Sequence, residues 1–164
     1  MLFHNQLREK IVSQDQALKA LRIYREKNKK IVFTNGCFDI LHSGHIDYLS
    51  QARDLGDILV LGLNTDQSVK RLNKGLNRPI NDEKSRAYVL AGLASVDLIV
   101  FFDEETPYNL IKLLQPNVLV KGNDYELEKI IGVDILKENG GKVITIPFLV
   151  GYSTTSLIKK IIEG

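Results

Sequence analysis

The chain has almost no features of a secreted, membrane-spanning or nucleic-acid-binding protein. Cys37 is the only cysteine among 164 residues, so an internal disulfide cannot form. The longest apolar runs, ILVLGL and LIVFF, are far shorter than the roughly 20 residues that cross a bilayer. The 22 basic and 20 acidic residues nearly cancel and form no block of one sign, which argues against a nucleic-acid-binding surface. The N-terminus is also too polar for a signal peptide, so we expect a cytoplasmic protein with small ligands that binds neither nucleic acid nor a membrane.

Strand-like and helix-like segments alternate along the chain. Short apolar runs rich in β-branched residues predict strands at 30–35, 57–64, 97–102, 117–122 and 141–147. Helical spacing of apolar residues occupies the segments between them, and Asn81 and Thr106 are predicted to cap two of these helices. This alternation predicts an α/β, Rossmann-like, three-layer fold in which helices cover both faces of an open parallel sheet of about five strands. We expect residues 1–164 to form a single domain with an N-terminal helical extension over about 1–28.

The loop after the first of these strands holds an unusual set of reactive residues. The segment GCFDILHSGHIDYL, at 36–49, contains the single cysteine, an aspartate and two of the three histidines. In open parallel sheets, ligands bind beyond the carboxyl ends of the strands, where the strand order reverses. We therefore expect the functional site at this segment.

Three interpretations of this segment do not involve phosphate. Cys37, His42 and His45 could bind a metal ion, although a tetrahedral site needs a further ligand and His4 lies in a polar N-terminal segment. Cys37 could be a nucleophile with a histidine as its base, although no neighbouring residue in the sequence activates the thiol. The two histidines could also be exposed residues at the start of a helix, because short motifs match by chance.

A phosphate-binding site accounts for more of these residues at once. Gly36 and Gly44 allow backbone amides to approach an anion, and the start of the next helix adds unpaired N–H groups and the positive end of the helix dipole. His42 and His45 are three residues apart and share a helix face, so both rings can donate to one phosphate. Two neutral donors beside one phosphorus can stabilise the charge that develops in a transition state.

Two motifs resemble those of the nucleotidyltransferase superfamily. GCFDILHSGH is similar to its H-x-G-H motif, and GYSTTSLI, at 151–158, is similar to its second motif, a serine–threonine run that opens the last helix. The resemblance is densest with the adenylyltransferases of ADP-heptose synthesis, through KIVFTNGCFDILHSGHIDYL, VKRLNKGLNRPIND, VLVKGNDY and GYSTTSLI. It runs from about residue 13 to the C-terminus. In many members this domain follows a sugar kinase domain, so the chain resembles a stand-alone form.

The resemblance implies transfer of AMP from ATP to a sugar 1-phosphate, most closely D-glycero-β-D-manno-heptose 1-phosphate, for lipopolysaccharide or cell-surface glycan precursors. The attacking phosphate is already ionised at neutral pH, so the protein must mainly position two anions and neutralise charge. Mg²⁺ is expected to arrive with ATP and to need few protein ligands, and no organic cofactor is implied. The family also tends to form homodimers, for which the N-terminal helix is a candidate interface.

The resemblance assigns roles to three groups of residues. The residues implied in catalysis are His42, His45, Lys74 and Arg86. Those implied in nucleotide binding are Asn35, Gly36, Cys37, Phe38, Asp39, Gly44, Lys121, Gly122, Asn123, Asp124, Ser153, Thr154 and Thr155. Those implied in binding the sugar phosphate are Arg78, Asn81 and Lys70. Asp39 is expected to orient a histidine, to approach Mg²⁺ or to cap the helix, and no residue is expected to be a resident metal ligand.

Other functions share these motifs. A cytidylyltransferase, or an adenylyltransferase that acts on another small phosphate ester, has the same chemistry. The run FLVGY, at 148–152, departs from the arginine-containing pattern of the glycerol-phosphate cytidylyltransferases and favours adenine packed against an apolar wall. A tRNA synthetase fragment shares the H-x-G-H element but would need a basic recognition surface. A non-catalytic nucleotide-binding module would not need both histidines.

Overall fold

The computed structural model describes residues 2–72, 78–122 and 127–163. The helices are α1 Phe3–Glu9, α2 Gln14–Glu26, α3 Ser43–Asp54, α4 Asp66–Arg71, α5 Glu83–Ala91, α6 Tyr108–Leu114, α7 Val133–Glu138 and α8 Thr154–Glu163, with a 3₁₀ turn at Leu127–Lys129. The strands are β1 Ile11–Val12, β2 Ile31–Gly36, β3 Ile58–Asn64, β4 Leu98–Phe102, β5 Val118–Gly122 and β6 Lys142–Ile146. No helix in these described ranges is long and apolar enough to cross a membrane.

The strands form one parallel sheet in the order β1-β4-β3-β2-β5-β6. β2 pairs with β3 along its full length, but with β5 only at Val32 and Phe33. The strand order reverses at this point, because β3 and β4 follow on one side of β2 whereas β5 and β6 lie on the other. The sheet therefore splits between the carboxyl ends of β2 and β5, and such a split is where open parallel sheets bind ligands.

Successive strand residues point to opposite faces of the sheet and fill two separate cores. Ile31 and Phe33 of β2 pack with residues of α2, α6 and α7, whereas Val32 between them packs with residues of α3 and α5. Leu49 of α3 and Leu90 of α5 are fully buried on this second face. Because helices cover both faces, the strand sequences are continuously apolar rather than alternating. The predicted α/β class and three-layer arrangement are confirmed.

The sheet has six strands rather than about five, because β1 is too short to be recognised from its sequence. This strand pairs with β4 at the edge of the sheet. α2 begins directly after it with a capping box at Ser13, and buries Ala17 and Leu21. The N-terminal extension is therefore an edge strand and part of a helical layer, packed into the same core as the rest of the fold.

Two predicted helix caps are wrong. Asp82, not Asn81, caps α5, and its carboxylate accepts a backbone N–H of the first turn at 2.9 Å. Asn81 instead donates its side-chain amide to the carbonyl of Asp39 at 2.7 Å. α6 begins after Pro107, without a side-chain cap, so Thr106 does not have the predicted role. For Asn81 the cause is a competing contact, because its side chain is already bonded to another segment.

Candidate active site

A cleft of about 820 Å³ opens where the sheet splits. Its volume lies within the range of sites that enclose small organic ligands, about 300–1,000 Å³. The ends of β2 and β5 and the starts of α3 and α8 all contribute to its wall. The predicted site residues that line it are Asn35, Gly36, Cys37, Phe38, Asp39, His42, Gly44, His45, Arg78, Lys121, Gly122, Ser153, Thr154 and Thr155.

His42 and His45 lie side by side at the start of α3. Their ring centroids are 3.8 Å apart and their planes are inclined by 21°, so the rings are stacked. The Nδ1 atom of each ring is buried, and neither has a hydrogen-bond partner among the described residues. A buried polar atom without a partner costs free energy. A ligand bound in the cleft beside these rings could supply the missing hydrogen bonds.

Burial keeps both imidazoles uncharged. It lowers the pKa of His42 below its ordinary value. It also lowers the pKa of His45 to about 4, an effect that the neighbouring His42 adds to and the Ile40 carbonyl opposes. At neutral pH each ring is therefore a neutral imidazole with one N–H to donate. An anion in the cleft would therefore meet two uncharged rings rather than two fixed positive charges.

No side chain caps the first turn of α3, although the His45 N–H in it already donates to the His42 carbonyl at 2.9 Å. His42 is the N-cap, but its ring makes no capping hydrogen bond. In contrast, α2, α4 and α5 are each capped by a serine, threonine or aspartate side chain. A Cβ on Gly44 would lie 3.1 Å from His42 Nδ1 and 3.2 Å from Tyr152 Cβ, so a larger residue would displace one of these neighbours. An uncapped helix start of this kind is suited to an anion.

Polar contacts link the two strand ends across the split. Lys121 Nζ donates to Asn35 Oδ1. The Thr34 hydroxyl lies 2.8 Å from the Tyr48 hydroxyl and donates to the Val120 carbonyl at 3.1 Å. These contacts continue the connection between β2 and β5 beyond the point where their backbone pairing ends. They also hold an ammonium group in the wall of the cleft.

The start of α8 and the segment before it form another wall. The Ser153 hydroxyl accepts a backbone N–H of the first turn of α8 at 3.0 Å. The Thr154 hydroxyl donates to the Ile40 carbonyl at 3.4 Å, which ties α8 to residues 37–45, here called the histidine loop. Phe148, Leu149 and Tyr152 line the cleft beside these hydroxyl groups. The predicted apolar wall and serine–threonine run therefore adjoin the same cavity.

Asp39 lines the cleft, and its carboxylate contacts residues 78–81 rather than a histidine. One carboxylate oxygen accepts the backbone N–H groups of Ile80 and Asn81 at 2.8 and 2.9 Å. The other lies 2.6 Å from Arg78 Nε, as an ion pair without hydrogen-bond alignment. The Asp39 side chain is 0% exposed, so neither oxygen is left to orient a histidine, cap α3 or bind Mg²⁺.

Three predicted residues lie outside the cleft lining in the described part of the chain, namely Arg86, Asn81 and Lys70. The Arg86 side chain is 0% exposed and donates to the carbonyls of Cys37 and Asn81 and to the carboxylate of Asp66. Lys70 occupies an exposed position on α4. Because all three guanidinium nitrogens of Arg86 already have partners, this arrangement does not form the direct phosphate contact expected of it.

Lys74, Asn123 and Asp124 lie outside the described residues. Their predicted roles in phosphate and nucleotide binding therefore stay predictions. Each lies in a segment whose neighbours line the cleft, since Leu72, Arg78 and Gly122 all contribute to the wall.

The geometry bears on the three interpretations that do not involve phosphate. Among residues 2–72, 78–122 and 127–163, no group of three or more histidine, cysteine, aspartate or glutamate side chains could hold a metal ion. The buried Cys37 thiol donates to Asn64 Oδ1 at 3.8 Å rather than to a histidine. The histidines are not simply exposed residues, because their Nδ1 atoms are buried. Binding of an anion is the interpretation that this arrangement favours.

One side of the cleft, formed by residues near the ends of β3 and β4, was not predicted from the sequence. Residues that follow or end these strands line it, and they include Asn64, Leu72, Glu105, Thr106 and Pro107. The segment after the 3₁₀ turn adds Ile130 and Ile131. The rule that ligands lie beyond carboxyl strand ends applies to these residues as well. Position in the fold could have identified them, whereas of these residues only Leu72 lies in a quoted motif, VKRLNKGLNRPIND.

Comparison with known proteins places the chain among relatives. Residues 33–160 match a family model described as cytidylyltransferase-like. The bifunctional protein HldE of Wolinella succinogenes is 54% identical over 93% of this chain, and that of Aliarcobacter butzleri is 59% identical over 83%. The chain spans 31% and 28% of the length of these two relatives.

Solved structures agree with the fold. The lipopolysaccharide core biosynthesis protein from Thermoplasma volcanium GSS1 is 30% identical, with a TM-score of 0.58 over 74% of this chain and 97% of that one. A pantoate-beta-alanine ligase from Francisella tularensis, at 19% identity and a TM-score of 0.59 over 94% of this chain and 78% of that one, shows the fold alone. The predicted superfamily resemblance is confirmed. The family match spans most of β2, the loop that carries the two histidines and most of the last helix, so the chain belongs to the cytidylyltransferase-like family.

Proposed function

We propose that the chain transfers AMP from ATP to a sugar 1-phosphate, releasing pyrophosphate and forming an ADP-sugar. The proposed acceptor is D-glycero-β-D-manno-heptose 1-phosphate, and the product would serve lipopolysaccharide or cell-surface glycan synthesis. The observation that carries this proposal is the stacked, neutral His42–His45 pair at the uncapped start of α3, inside the cleft where the sheet splits. Identity to the HldE proteins and likeness to a lipopolysaccharide core biosynthesis protein support the choice of acceptor.

The reaction needs positioning and charge stabilisation rather than a protein nucleophile. A phosphate oxygen of the sugar 1-phosphate attacks the α-phosphorus of ATP and forms a new P–O bond. The bond from the α-phosphorus to the oxygen that bridges to the β-phosphate breaks, and pyrophosphate leaves with that electron pair. Negative charge grows on the α-phosphate oxygens, and the His42 and His45 N–H groups and the first-turn amides of α3 donate to it. These hydrogen bonds strengthen as charge develops, so they favour the transition state.

The nucleotide substrate is MgATP, and the metal requires little from the protein. Asp39 and Glu105 are the acidic residues among the described cleft lining, and both carboxylate oxygens of Asp39 are engaged. Mg²⁺ commonly binds through phosphates and water with few protein ligands, so this lining is compatible with metal that arrives on the triphosphate. Lys74 and Arg78 are proposed to neutralise the phosphates of the two substrates. Ser153, Thr154, Thr155, Lys121 and Gly122, with Asn123 and Asp124, are proposed to hold the nucleotide.

The apolar wall at 148–152 supports adenine rather than cytosine as the base. Phe148, Leu149 and Tyr152 offer apolar surface against which the larger purine ring can pack. We expect MgATP to raise the melting temperature more than MgCTP at equal concentration, since a ligand at 100 times its Kd stabilises the folded state by about 2.7 kcal/mol. A thermal-shift titration measures this. Equal stabilisation by the two nucleotides would contradict the base preference.

Replacing the histidines tests the catalytic role directly. We expect His42→Ala and His45→Ala each to lower kcat about 100-fold or more, because each removes a donor to the transition state, with a smaller change in KM for ATP. Pyrophosphate release in the presence of heptose 1-phosphate measures both constants. The exposed His4 on α1 provides the matched control, and His4→Ala should leave kcat unchanged. Wild-type turnover in the His42 and His45 variants would refute the mechanism.

A cytidylyltransferase, or an adenylyltransferase for another phosphate ester, is the alternative within this chemistry. Assays with ATP or CTP against a panel of phosphate esters separate these activities, because the true pair releases pyrophosphate fastest.

We also propose a cytoplasmic homodimer with no nucleic acid or membrane partner. α2 buries Ala17 and Leu21 inside the chain, so a dimer interface would use other residues. Light scattering after gel filtration measures the oligomeric state.

A further inference from the structure

The histidine loop is held by a charged network that lies beneath the cleft. Arg86 on α5 is 0% exposed in its side chain and forms an ion pair with Asp66 of α4 at 2.7 Å. Its Nη1 donates to the Cys37 carbonyl at 2.7 Å, and its Nε donates to the Asn81 carbonyl at 3.0 Å. A buried guanidinium is costly unless every donor is satisfied, and here the partners are one carboxylate and two backbone carbonyls. Its bonds therefore join the histidine loop to the segment before α5.

Asp39 makes a second connection between the same two segments. Its carboxylate accepts the backbone N–H groups of Ile80 and Asn81 and pairs with Arg78, whose side chain lies in the cleft wall. The Asn81 amide donates back to the Asp39 carbonyl at 2.7 Å. The Arg86 guanidinium thus connects residue 37 to residues 78–81. The Asp39 carboxylate connects residue 39 to the same segment.

Phe38, which lies between these two connections, has a strained backbone and packs against the His45 ring. Phe38 has a φ of 46°, in the left-handed region that non-glycine residues rarely adopt. Such a conformation persists only where the surrounding structure enforces it. The Phe38 ring centroid lies 5.1 Å from that of His45, and a Cβ on Gly36 would lie 2.7 Å from the Phe38 ring. A shift of this turn would therefore move the ring that packs against His45.

We infer that Arg86 and Asp39 are positioning residues that clamp the turn 37–39 to residues 78–81, and thereby set the placement of His42 and His45 through Phe38. Arg86 acts from outside the cleft lining, so its importance would not come from contact with substrate phosphates. Asp39 also pairs with Arg78, a cationic residue of the cleft wall. The positions of Arg78 and of the two histidines are therefore linked. The kinetic consequences of this inference rest on the proposed function, whereas the structural consequences do not.

The test combines histidine titration with steady-state kinetics on Arg86→Gln and Asp39→Asn. Nuclear magnetic resonance of the histidine side chains reports the pKa of His42 and His45, with His4 as the internal reference. In each variant we expect the pKa of His45 to rise from about 4 toward its ordinary value, because a displaced turn exposes the ring. We expect kcat to fall about 100-fold with KM for ATP changed less than about threefold, since misplacement by about 1 Å can cost this much.

Arg53→Gln is the matched control for lost stability. Arg53, at the other end of α3, pairs with Asp97 at 3.0 Å and donates to the Gly56 carbonyl at 2.6 Å, and it does not line the cleft. This variant should melt at a lower temperature with the His45 titration and kcat unchanged. If Arg86→Gln does not fold, Asp66→Asn is the second variant, because it removes the ion pair of Arg86 at a side chain that is 29% exposed. It should also raise the pKa of His45.

Two results would overturn the inference. A fall in kcat with an unmoved His45 titration would mean that Arg86 acts on the substrate. An unmoved titration with wild-type kcat would mean that the clamp positions nothing of consequence. If the protein transfers AMP to no sugar phosphate, the proposed function fails, but the titration still decides whether Arg86 and Asp39 hold the histidine loop.

Discussion

At the scale of single residues, the histidine pair combines a predictable geometry with an unpredictable charge state. The i, i+3 spacing predicts that both rings share a helix face; His42 is instead the extended N-cap residue of α3 and His45 lies in its first turn, and the rings are stacked 3.8 Å apart. Their neutrality depends on burial by residues from other segments, which spacing does not reveal. Neutral rings suit the proposed reaction, because they donate hydrogen bonds to developing charge without the desolvation cost of two adjacent cations.

We expect the free energy of unfolding to decrease as the pH falls from 6.5 to about 4. The pKa of His45 lies near 4 in the folded protein and near 6.5 in the unfolded chain, so only the unfolded chain takes up this proton within that window. Uptake by the unfolded state alone removes stability, on the order of 3 kcal/mol at the lower end. Urea unfolding at a series of pH values measures the effect.

His45→Gln provides the comparison for this pH dependence. Glutamine does not titrate, so the variant should show a flatter profile between pH 6.5 and 4. The exposed carboxylates of Asp57, Asp103 and Asp134 have pKa values held below 3.8 by hydrogen bonds, so their contributions are lost only below this window. An identical slope in wild type and variant would show that His45 is not the titrating group.

At the scale of elements, α3 and α8 present their starts to the same cleft but are anchored differently. α3 buries Tyr48, Leu49 and Ala52 against the sheet. α8 has no buried residue, and Ile161 and Ile162 near its end are 75% and 77% exposed. A helix with few buried apolar contacts opens locally at low cost in free energy. The position of α8 should therefore depend on its ligand more than that of α3 does.

We expect MgATP to slow amide hydrogen exchange in α8, because the proposed nucleotide contacts through Ser153, Thr154 and Thr155 would hold its first turn. Exchange in α2 should not change, since Ala17 and Leu21 already anchor that helix. Hydrogen–deuterium exchange with mass spectrometry, at saturating MgATP and without nucleotide, makes the comparison. Equal exchange of α8 in both conditions would contradict the proposed contacts.

At the scale of the whole molecule, the N-terminal segment belongs to the fold rather than extending from it. β1 pairs with β4, and α2 packs on the same sheet face as α6 and α7. The segment predicted as a helical extension contains α1, β1 and α2. Apolar spacing identifies a helix with a buried face, yet it does not say whether the partner is the same sheet or another molecule.

Leu21→Ala should therefore destabilise the whole fold by about 2–5 kcal/mol, the usual cost of truncating a buried leucine. Leu21 is 0% exposed in the core shared with β2 and β4. Ile23→Ala on the same helix is the control, since Ile23 is 51% exposed and should cost well under 1 kcal/mol. Chemical denaturation measures both. Equal, small losses would mean that α2 does not share the cooperative core.

The sequence by itself determined the α/β class, the position of the histidine pair directly after a strand, and the two helix starts that adjoin the cleft. These features depend on periodicity and on spacings of a few residues, which are local and can be read along the chain. Only the tertiary structure decided what Asp39 and Arg86 contact. Their partners lie 42 and 49 residues away in the chain, at Asn81 and Cys37, and a charged side chain looks the same in sequence whether it faces a phosphate or a buried carbonyl. The folded structure places these two charges against protein groups, because a buried charge is stable only where it is paired and hydrogen-bonded.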